Sequence, residues 1–286
     1  MITQIYSNNT TLVAVANFKD VYLLQNVAFS LQQQFLHFFL LKEGHSDYVK
    51  VLLFSNNDKI LATGSSDCTI KLWNVENRRE LKTLLGHSSP ITSLAFDNNN
   101  GNDNGNGPHK DNKYIASGCQ DGTIIVWDIN TGQMVQKFIG HTDIINSMSF
   151  HHTSDYIVSG SMDMSVKFWD IQKGKEMFEL DKHSTSVLHV SFDKNCQFLA
   201  TATKDNIIHI WTFNSQYSGP NPFEQKCDTE IIKLLFIGHY LIVRFSSGTT
   251  KIWDADTKEL TNFDKNLQNT FGKSAQKQEI LQSTFK

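Results

Sequence analysis

Arginine is scarce in this chain. Only Arg78, Arg79 and Arg244 stand among its 26 basic residues, which face 29 acidic ones, for a formal net charge of −3. No basic field is evident, so no direct nucleic-acid binding is expected, nor a primary role on an anionic membrane. Cysteine is sparse as well. Cys68, Cys119, Cys196 and Cys227 form no C-x-x-C pair and no disulfide-like framework, and they read as ordinary thiols of a reducing, intracellular compartment, cytoplasmic or nuclear. Long apolar runs are missing too. The longest apolar cluster, residues 35–41, is interrupted by His37 and is far too short to span a bilayer. The opening MITQIYSNNTTL lacks a basic region followed by an apolar stretch, so no signal peptide is expected, and the sequons at Asn8 and Asn9 carry no meaning without secretion. What the chain does have is hydrophobic side chains, 40% of residues with 11% aromatic. That is ample for a buried core and argues against global disorder.

An apolar run ending in Trp-Asp, as in Ile124 to Asp128, is followed about a dozen residues later by Gly-His, and the pattern then starts again. Trp127, Trp169, Trp211 and Trp253 stand at successive intervals of 42 residues. Self-similarity at that period is the mark of a propeller blade repeated in tandem. Each unit opens with Gly-His and a first strand (49–54, 91–96, 144–150, 187–192). A polar turn and a second strand follow (60–63, 114–117, 156–159, 198–201), then an Asp-bearing turn and a third strand ending at the Trp. A fourth strand closes the unit (80–85, 134–139, 176–180). Turn glycines and β-branched or aromatic runs fit this reading. The fold class is therefore all-β, a propeller of four-stranded antiparallel blades.

Six blades are recognisable, at about 1–43, 44–85, 86–139, 140–181, 182–223 and 224–262. The first is degenerate: residues 2–26 overlay residues 50–74 but lack the Trp and the Gly-His. Its fourth strand is expected within 34–41, after a spacer at 27–33. Trp73 to Trp127 is 54 residues, 12 beyond the period, and the excess is DNNNGNDNGNGPHKDNK, residues 97–113. Its Asn/Gly composition predicts a disordered hairpin excursion. Gly101, Gly105 and Gly107 do not make it a phosphate loop, which needs a strand before and a helix start after. In the last unit, counting back 28 residues from Trp253 gives Gln225 where the others have His. Residues 263–286 form a polar tail in which 279–285 resembles the first strand of a further, seventh blade. A short terminal helix is the rival reading.

Relative to each Trp, a hydroxyl residue lies ten positions earlier, an Asp six earlier and a His 28 earlier, or 40 where the insertion intervenes. This yields His45/Thr63/Asp67/Trp73, His87/Ser117/Asp121/Trp127, His141/Ser159/Asp163/Trp169 and His183/Thr201/Asp205/Trp211. These sets resemble the structural tetrad of WD40-repeat proteins over roughly residues 44–254. The resemblance implies a hydrogen-bonded chain from the indole N–H through Ser/Thr and His to Asp. Buried indole and imidazole N–H groups need such partners, and losing the Trp should cost about 3–5 kcal/mol. Segments ATGSSDCTIKLWNV (62–75), SGCQDGTIIVWDI (117–129) and residues 140–171 look like the propeller of the katanin regulatory subunit, while the last two repeats look like those of the WD40 subunit of TFIID. The first likeness implies a targeting subunit of a microtubule-associated complex.

Ser, His and Asp recurring in every blade, with a Trp, are not a hydrolase triad, which is needed once and with an exposed nucleophile. No catalytic residue, metal or cofactor is expected. His151-His152 with Asp155 sits in a polar hairpin turn where adjacent residues point apart, and Arg78-Arg79 reads as a solvated turn. WD40 resemblance implies a rigid platform for other proteins in a complex, with no small-molecule substrate and no membrane span. Candidate contacts on the top-face turns are Asp47, Tyr48, Pro90, Gln120, Asp143, Met162, Met164, Lys204 and Asn206. Met and Tyr suit adaptable binding surfaces. Phe35, Phe38 and Phe39 form another candidate patch. The alternative is a reader of a peptide or modified peptide through the top face, resting on Tyr48, Asp47 and Asp143.

Overall fold

The computed structural model describes residues 2–6, 12–30, 33–41, 44–97, 112–151, 153, 155–180, 183–193, 195–213 and 222–261; at 2–6, 25–30 and 33–38 it describes the backbone alone. Every regular element among the described residues is a strand, and the strands form six four-stranded antiparallel sheets, each a simple up-and-down meander. The described residues divide into two compact units, one up to Lys137 and one from Phe138 to Thr261.

In the first unit, β1 (Ile2–Tyr6), β2 (Leu12–Asn17), β3 (Asp20–Ser30) and β4 (Gln33–Leu41) make the first blade. The second comprises β5 (Val49–Phe54), β6 (Ile60–Ser65), β7 (Ile70–Asn74) and β8 (Glu80–Leu84). The third comprises β9 (Ile91–Phe96), β10 (Tyr114–Cys119), β11 (Ile124–Asp128) and β12 (Met134–Phe138). The expected spacer of the first blade is mostly strand: β3 runs to Ser30 and β4 starts at Gln33. The surplus residues, Val27-Ala28-Phe29 among them, have strand propensity and lengthen a hairpin instead of making a loop. The ends of the expected excursion are likewise ordered. Asp97 and Asn112 are buried, Asn112 Nδ2 donates to Asp97 Oδ1 at 3.0 Å, and Asn56 reaches both the Asp97 carbonyl and Asn112 Oδ1. The rest of that excursion, residues 98–111, lies outside the described residues.

The second unit holds β13 (Ile145–Phe150), β14 (Tyr156–Ser161), β15 (Val166–Asp170) and β16 (Lys175–Glu179). These are followed by β17 (Val187–Phe192), β18 (Phe198–Thr203), β19 (Ile207–Thr212) and β20 (Phe223–Lys226). The sixth blade is β21 (Ile231–Ile237), β22 (Tyr240–Phe245), β23 (Thr250–Asp254) and β24 (Leu260–Thr261). Here a blade boundary moves. Residues 224–226, expected to open the sixth blade, pair with β19 and close the fifth. The tail at 263–286 and its proposed seventh-blade strand lie outside the described residues.

Within each unit the cores lie between one blade and the next along the chain. Ala62, Ile70 and Leu72 of the second blade meet Ile91, Ile115, Ile125 and Trp127 of the third. Val158, Val166 and Phe168 of the fourth meet Val187, Leu199 and Trp211 of the fifth. The second and third strands are buried at nearly every position, because blades cover both of their faces. The second strand carries a small residue where the next blade comes closest. A Cβ at Gly160 would lie 2.6 Å from Val187 Cγ1 and 2.8 Å from Val190 Cγ1, and one at Gly64 would lie 2.6 Å from Ile91 Cγ2. Both neighbours are stiff β-branched side chains, so neither can swing away cheaply. Gly160→Ala should therefore destabilise the protein by about 1–3 kcal/mol, the usual cost of overpacking, measured as a lower urea midpoint with an unchanged m-value.

Candidate functional site

The Gly-His pair and the Trp of each unit meet inside one blade. A Cβ at Gly140 would sit 2.9 Å from Cη2 of Trp169, and one at Gly86 would sit 3.0 Å from Cη2 of Trp127. The glycine thus clears space for the indole, and the histidine after it turns inward. In the fourth blade Trp169 Nε1–H donates to Ser159 Oγ at 2.8 Å, and that hydroxyl lies 2.7 Å from His141 Nε2. His141 Nδ1 lies 2.8 Å from Asp163 Oδ2. With Nδ1–H donating to the Asp163 carboxylate, Nε2 accepts the hydrogen bond from the Ser159 hydroxyl, and the indole, hydroxyl and imidazole hydrogens all have partners. The second blade repeats this: Trp73 to Thr63 at 3.0 Å, Thr63 to His45 Nε2 at 2.7 Å, and His45 Nδ1 to Asp67 at 3.0 Å. Ser159 and Thr63 are fully buried.

Two of the four expected chains stop short of the aspartate. In the third blade Trp127 and His87 Nε2 share Ser117 at 2.8 and 2.7 Å, but His87 Nδ1 has no partner. Asp121 instead accepts from the Cys119 thiol, the Thr123 amide and the Ser88 hydroxyl. Burial works to raise this carboxyl, yet those hydrogen bonds outweigh it and hold it at about 2. Burial, with the hydrogen bond to Asp121, pushes the Cys119 thiol up to about 12, so it is inert. In the fifth blade Thr201 lies 3.3 Å from both Trp211 Nε1 and His183 Nε2, while Asp205 is taken up by Thr203, Thr185 and Ser184. His183 packs against His209, ring centres 4.5 Å apart, and His209 Nδ1 is buried without a partner.

The sixth blade places its residues differently from the count. Gln225 lies in β20, and Cys227 holds the position of the absent histidine: it stands four residues before the first strand, as His45, His87, His141 and His183 do. The backbone agrees, since Cys227 N donates to Asn206 O as His183 N donates to Met164 O. Counting back from Trp253 missed this because the β21–β22 hairpin turns on Gly238-His239 alone, two residues shorter than in the other units. Counting forward to the first strand would have found it. Cys227, Val243 and Trp253 are all buried.

The candidate contact residues pair up within blades. The segment before each first strand bonds to the turn between second and third strands: Ser66 N to Tyr48 O, Gln120 N to Pro90 O, Met162 N to Ile144 O and Lys204 N to Ser186 O, all 2.8–3.0 Å. This puts Pro90 beside Gln120, and Asp143 on the segment next to Met162 and Met164. Asp47 and Asp143 each accept the following backbone amide at 2.7 Å, so both carboxylates build turns. Tyr48 is half-exposed, with its ring 5.2 Å from that of Phe18. Met164 is exposed with φ of 70°, whereas Gly122 and Gly248 hold the same place in the third and sixth blades. Asn206 also adopts that conformation, with φ of 65°, and Lys204 is exposed.

The other clusters are chemically modest. His151 bonds Thr153 through Nδ1 and packs edge-on against Tyr156 and Phe192; His152 lies outside the described residues. Among the described residues one group has metal-ligand geometry, His239 with Asp254 and Asp256. The other Asp254 oxygen is engaged by the Asp256 and Thr257 amides. The tetrad serines cannot serve as nucleophiles: each is buried, and its oxygen is shared between an indole and an imidazole, with no face left for a substrate. No helix among the described residues is long and apolar enough to cross a membrane.

A family model of the WDR41 β-propeller matches residues 31–285. The chain belongs to that family. Relatives align over shorter stretches. The nuclear distribution protein PAC1 of Komagataella phaffii is 31% identical over 40% of this chain and 23% of its own length. Small ribosomal subunit protein RACK1 of Caenorhabditis elegans is 30% identical over 37% of this chain and 29% of its own length. Coatomer subunit beta'-1 of Arabidopsis thaliana is 33% identical over 38% of this chain and 11% of its own length. The chain thus matches less than a third of each of these proteins. The WDR41 assignment and these WD40 relatives carry the propeller class; the katanin and TFIID likenesses do not.

The buried imidazoles should make this WDR41-family fold lose stability in acid. Burial lowers His87 from 6.5 to about 4; burial, then the neighbouring His209, lowers His183 as far, against a smaller pull upward from Asp205. The unfolded chain binds these protons near 6.5 while the folded chain refuses them until about 4. Their contribution is therefore complete above pH 6.5 and lost as pH falls from 6.5 to 4, at up to about 1.4 kcal/mol per group per pH unit. Urea midpoints measured across that window should fall with acidification, and His183→Gln should make the fall shallower.

Proposed function

We propose that this chain is a non-enzymatic protein-interaction scaffold, an adaptor subunit of an intracellular multiprotein complex. The observation that carries the reading is Met164. A flexible apolar side chain is exposed at a turn position that is left-handed in every blade from the second to the sixth and is glycine in two of them. A non-glycine residue in that conformation carries a conformational cost, and such costs concentrate at functional positions. Methionine there is an adaptable contact, mounted on a blade locked by the complete Trp169–Ser159–His141–Asp163 chain. The names of two relatives point the same way, one a coatomer subunit and one a small ribosomal subunit protein.

The peptide-reader alternative has less behind it. Asp47 and Asp143 are occupied by their own turns, and Tyr48 leans on Phe18. A katanin-like targeting role is supported by repeat positions alone. A hydrolase of the Ser–His–Asp kind would need a hydroxyl with an open face, which the buried tetrads do not supply. Affinity purification of the full chain followed by mass spectrometry should recover a stoichiometric complex. Met162→Glu with Met164→Glu should weaken that complex at least ten-fold while leaving the unfolding midpoint within a few degrees. A complex retained in full by the double variant excludes the methionine contact; turnover by the isolated protein without any partner excludes the scaffold.

A further inference from the structure

A cavity of about 400 Å³ opens between the first and second blades, in the first unit, at turns other than those carrying Tyr48 and Pro90. Leu12, Leu23 and Phe39 of β2, β3 and β4 line one side. Asp58 and Lys59 from the β5–β6 turn, and Asn74, Val75, Glu76 and Arg78 from the β7–β8 turn, line the other. Leu12, Leu23, Phe39 and Val75 supply the apolar part of the lining, and Leu23 and Val75 are buried. Arg78 does not trail into solvent as a turn residue would: its guanidinium carbon lies 3.3 Å from the centre of the Phe39 ring.

Arg78 also adopts a backbone conformation that its neighbours reach with glycine. It has φ of 62°, and the same turn position is Gly132 in the third blade and Gly174 in the fourth, at φ of 73° and 66°, with Lys258 in the sixth. A long cationic side chain is thus kept at a position where glycine fits without strain. Stacked on the ring, the guanidinium keeps its N–H edge available in the plane of the group, the geometry that suits a carboxylate. Neither the Arg78 nor the Arg79 guanidinium has a hydrogen-bond or ion-pair partner among the described residues, and both residues are exposed. These two are two of only three arginines in a chain of net charge −3. Within the lining Asp58 and Glu76 are the acids, set against Lys59 and Arg78; Asp58 is buried and Glu76 is exposed beside the two arginines.

We infer that this cavity is a docking site for an acidic, apolar-anchored peptide of a partner protein. One side chain of leucine or phenylalanine size fills the apolar space, and flanking carboxylates pair with Arg78 and Arg79. An apolar anchor in a pocket with a charged rim is how small protein–protein contacts gain both affinity and register. The inference deepens the scaffold reading by adding a second contact surface, and it rests on that reading.

The test uses the full chain and fluorescein-labelled eight-residue peptides with one central Leu between Asp and Glu residues, followed by anisotropy. The acidic leucine peptide should bind, and versions with Ser for Leu or Lys for the acids should bind at least ten-fold more weakly. Arg78→Gly should weaken binding at least ten-fold while its unfolding midpoint stays equal or rises, because glycine suits the turn. Equal binding by Arg78→Gly, no binding of the acidic leucine peptide at millimolar concentration, or binding only to phosphatidylserine vesicles each overturns the site. The scaffold reading stands or falls separately, on the complex recovered with the methionine variants.

Discussion

One hydroxyl oxygen placed between two buried rings is what each intact blade turns on. Ser159 takes the indole proton of Trp169 and gives its own to His141, and the same oxygen cannot be moved without stranding both rings. Stranding a buried polar group costs more than a single hydrogen bond is worth, because the unpaired partner stays desolvated. The bond therefore fixes three things together: the third strand by its Trp, the second by its hydroxyl, and the segment leading into the first by its His. Glycine before the histidine belongs to the same constraint, since a side chain there would meet the indole at 2.9 Å. Repetition of Gly-His and Trp-Asp in the sequence is the trace of that one packing problem solved again in successive blades.

The aspartate is the dispensable corner. Where it reaches the imidazole, as Asp67 and Asp163 do, the carboxylate also caps its own turn through the Thr69 or Ser165 amide. Where it does not, as with Asp121 and Asp205, the turn bonds remain and the histidine is left with one bond. The turn, not the imidazole, is thus the primary employer of this residue, which agrees with the preference of Asp for tight turns. In the sixth blade the rest of the set is replaced by Cys227 and Val243, and the blade holds through buried Leu241, Phe245 and Trp253. Burial alone can support a blade whose neighbour is rigid, at the expense of the polar specificity found in the fourth.

The repeat was legible because its period is set by backbone length: four strands and their turns take about the same number of residues each time. Reading failed where that length changed. The first blade spends its surplus on a longer β3–β4 hairpin, and the sixth shortens its first turn, so a fixed count from Trp253 landed on Gln225 instead of Cys227. The positions of Asp97 and Asn112 were hidden for another reason. An Asn/Gly-rich composition reports that a segment lacks a core, but not that its two ends bond each other and Asn56. Candidate contacts such as Met164 could be proposed from turn position, whereas the Arg78–Phe39 stack joins residues of two blades that no local pattern links.

Arg78 and Met164 make the same physical argument from different turns. Both occupy left-handed positions that glycine fills elsewhere in this chain, and both put a long side chain at the surface. Neither takes part in a tetrad, so neither is needed to hold a blade together. A glycine would lower the conformational cost at each site, at the loss only of what the side chain does outside the fold. The same conformation is held at Lys258 in the sixth blade, which lacks the hydroxyl network, so this strain belongs to the turn and not to the tetrad beneath it.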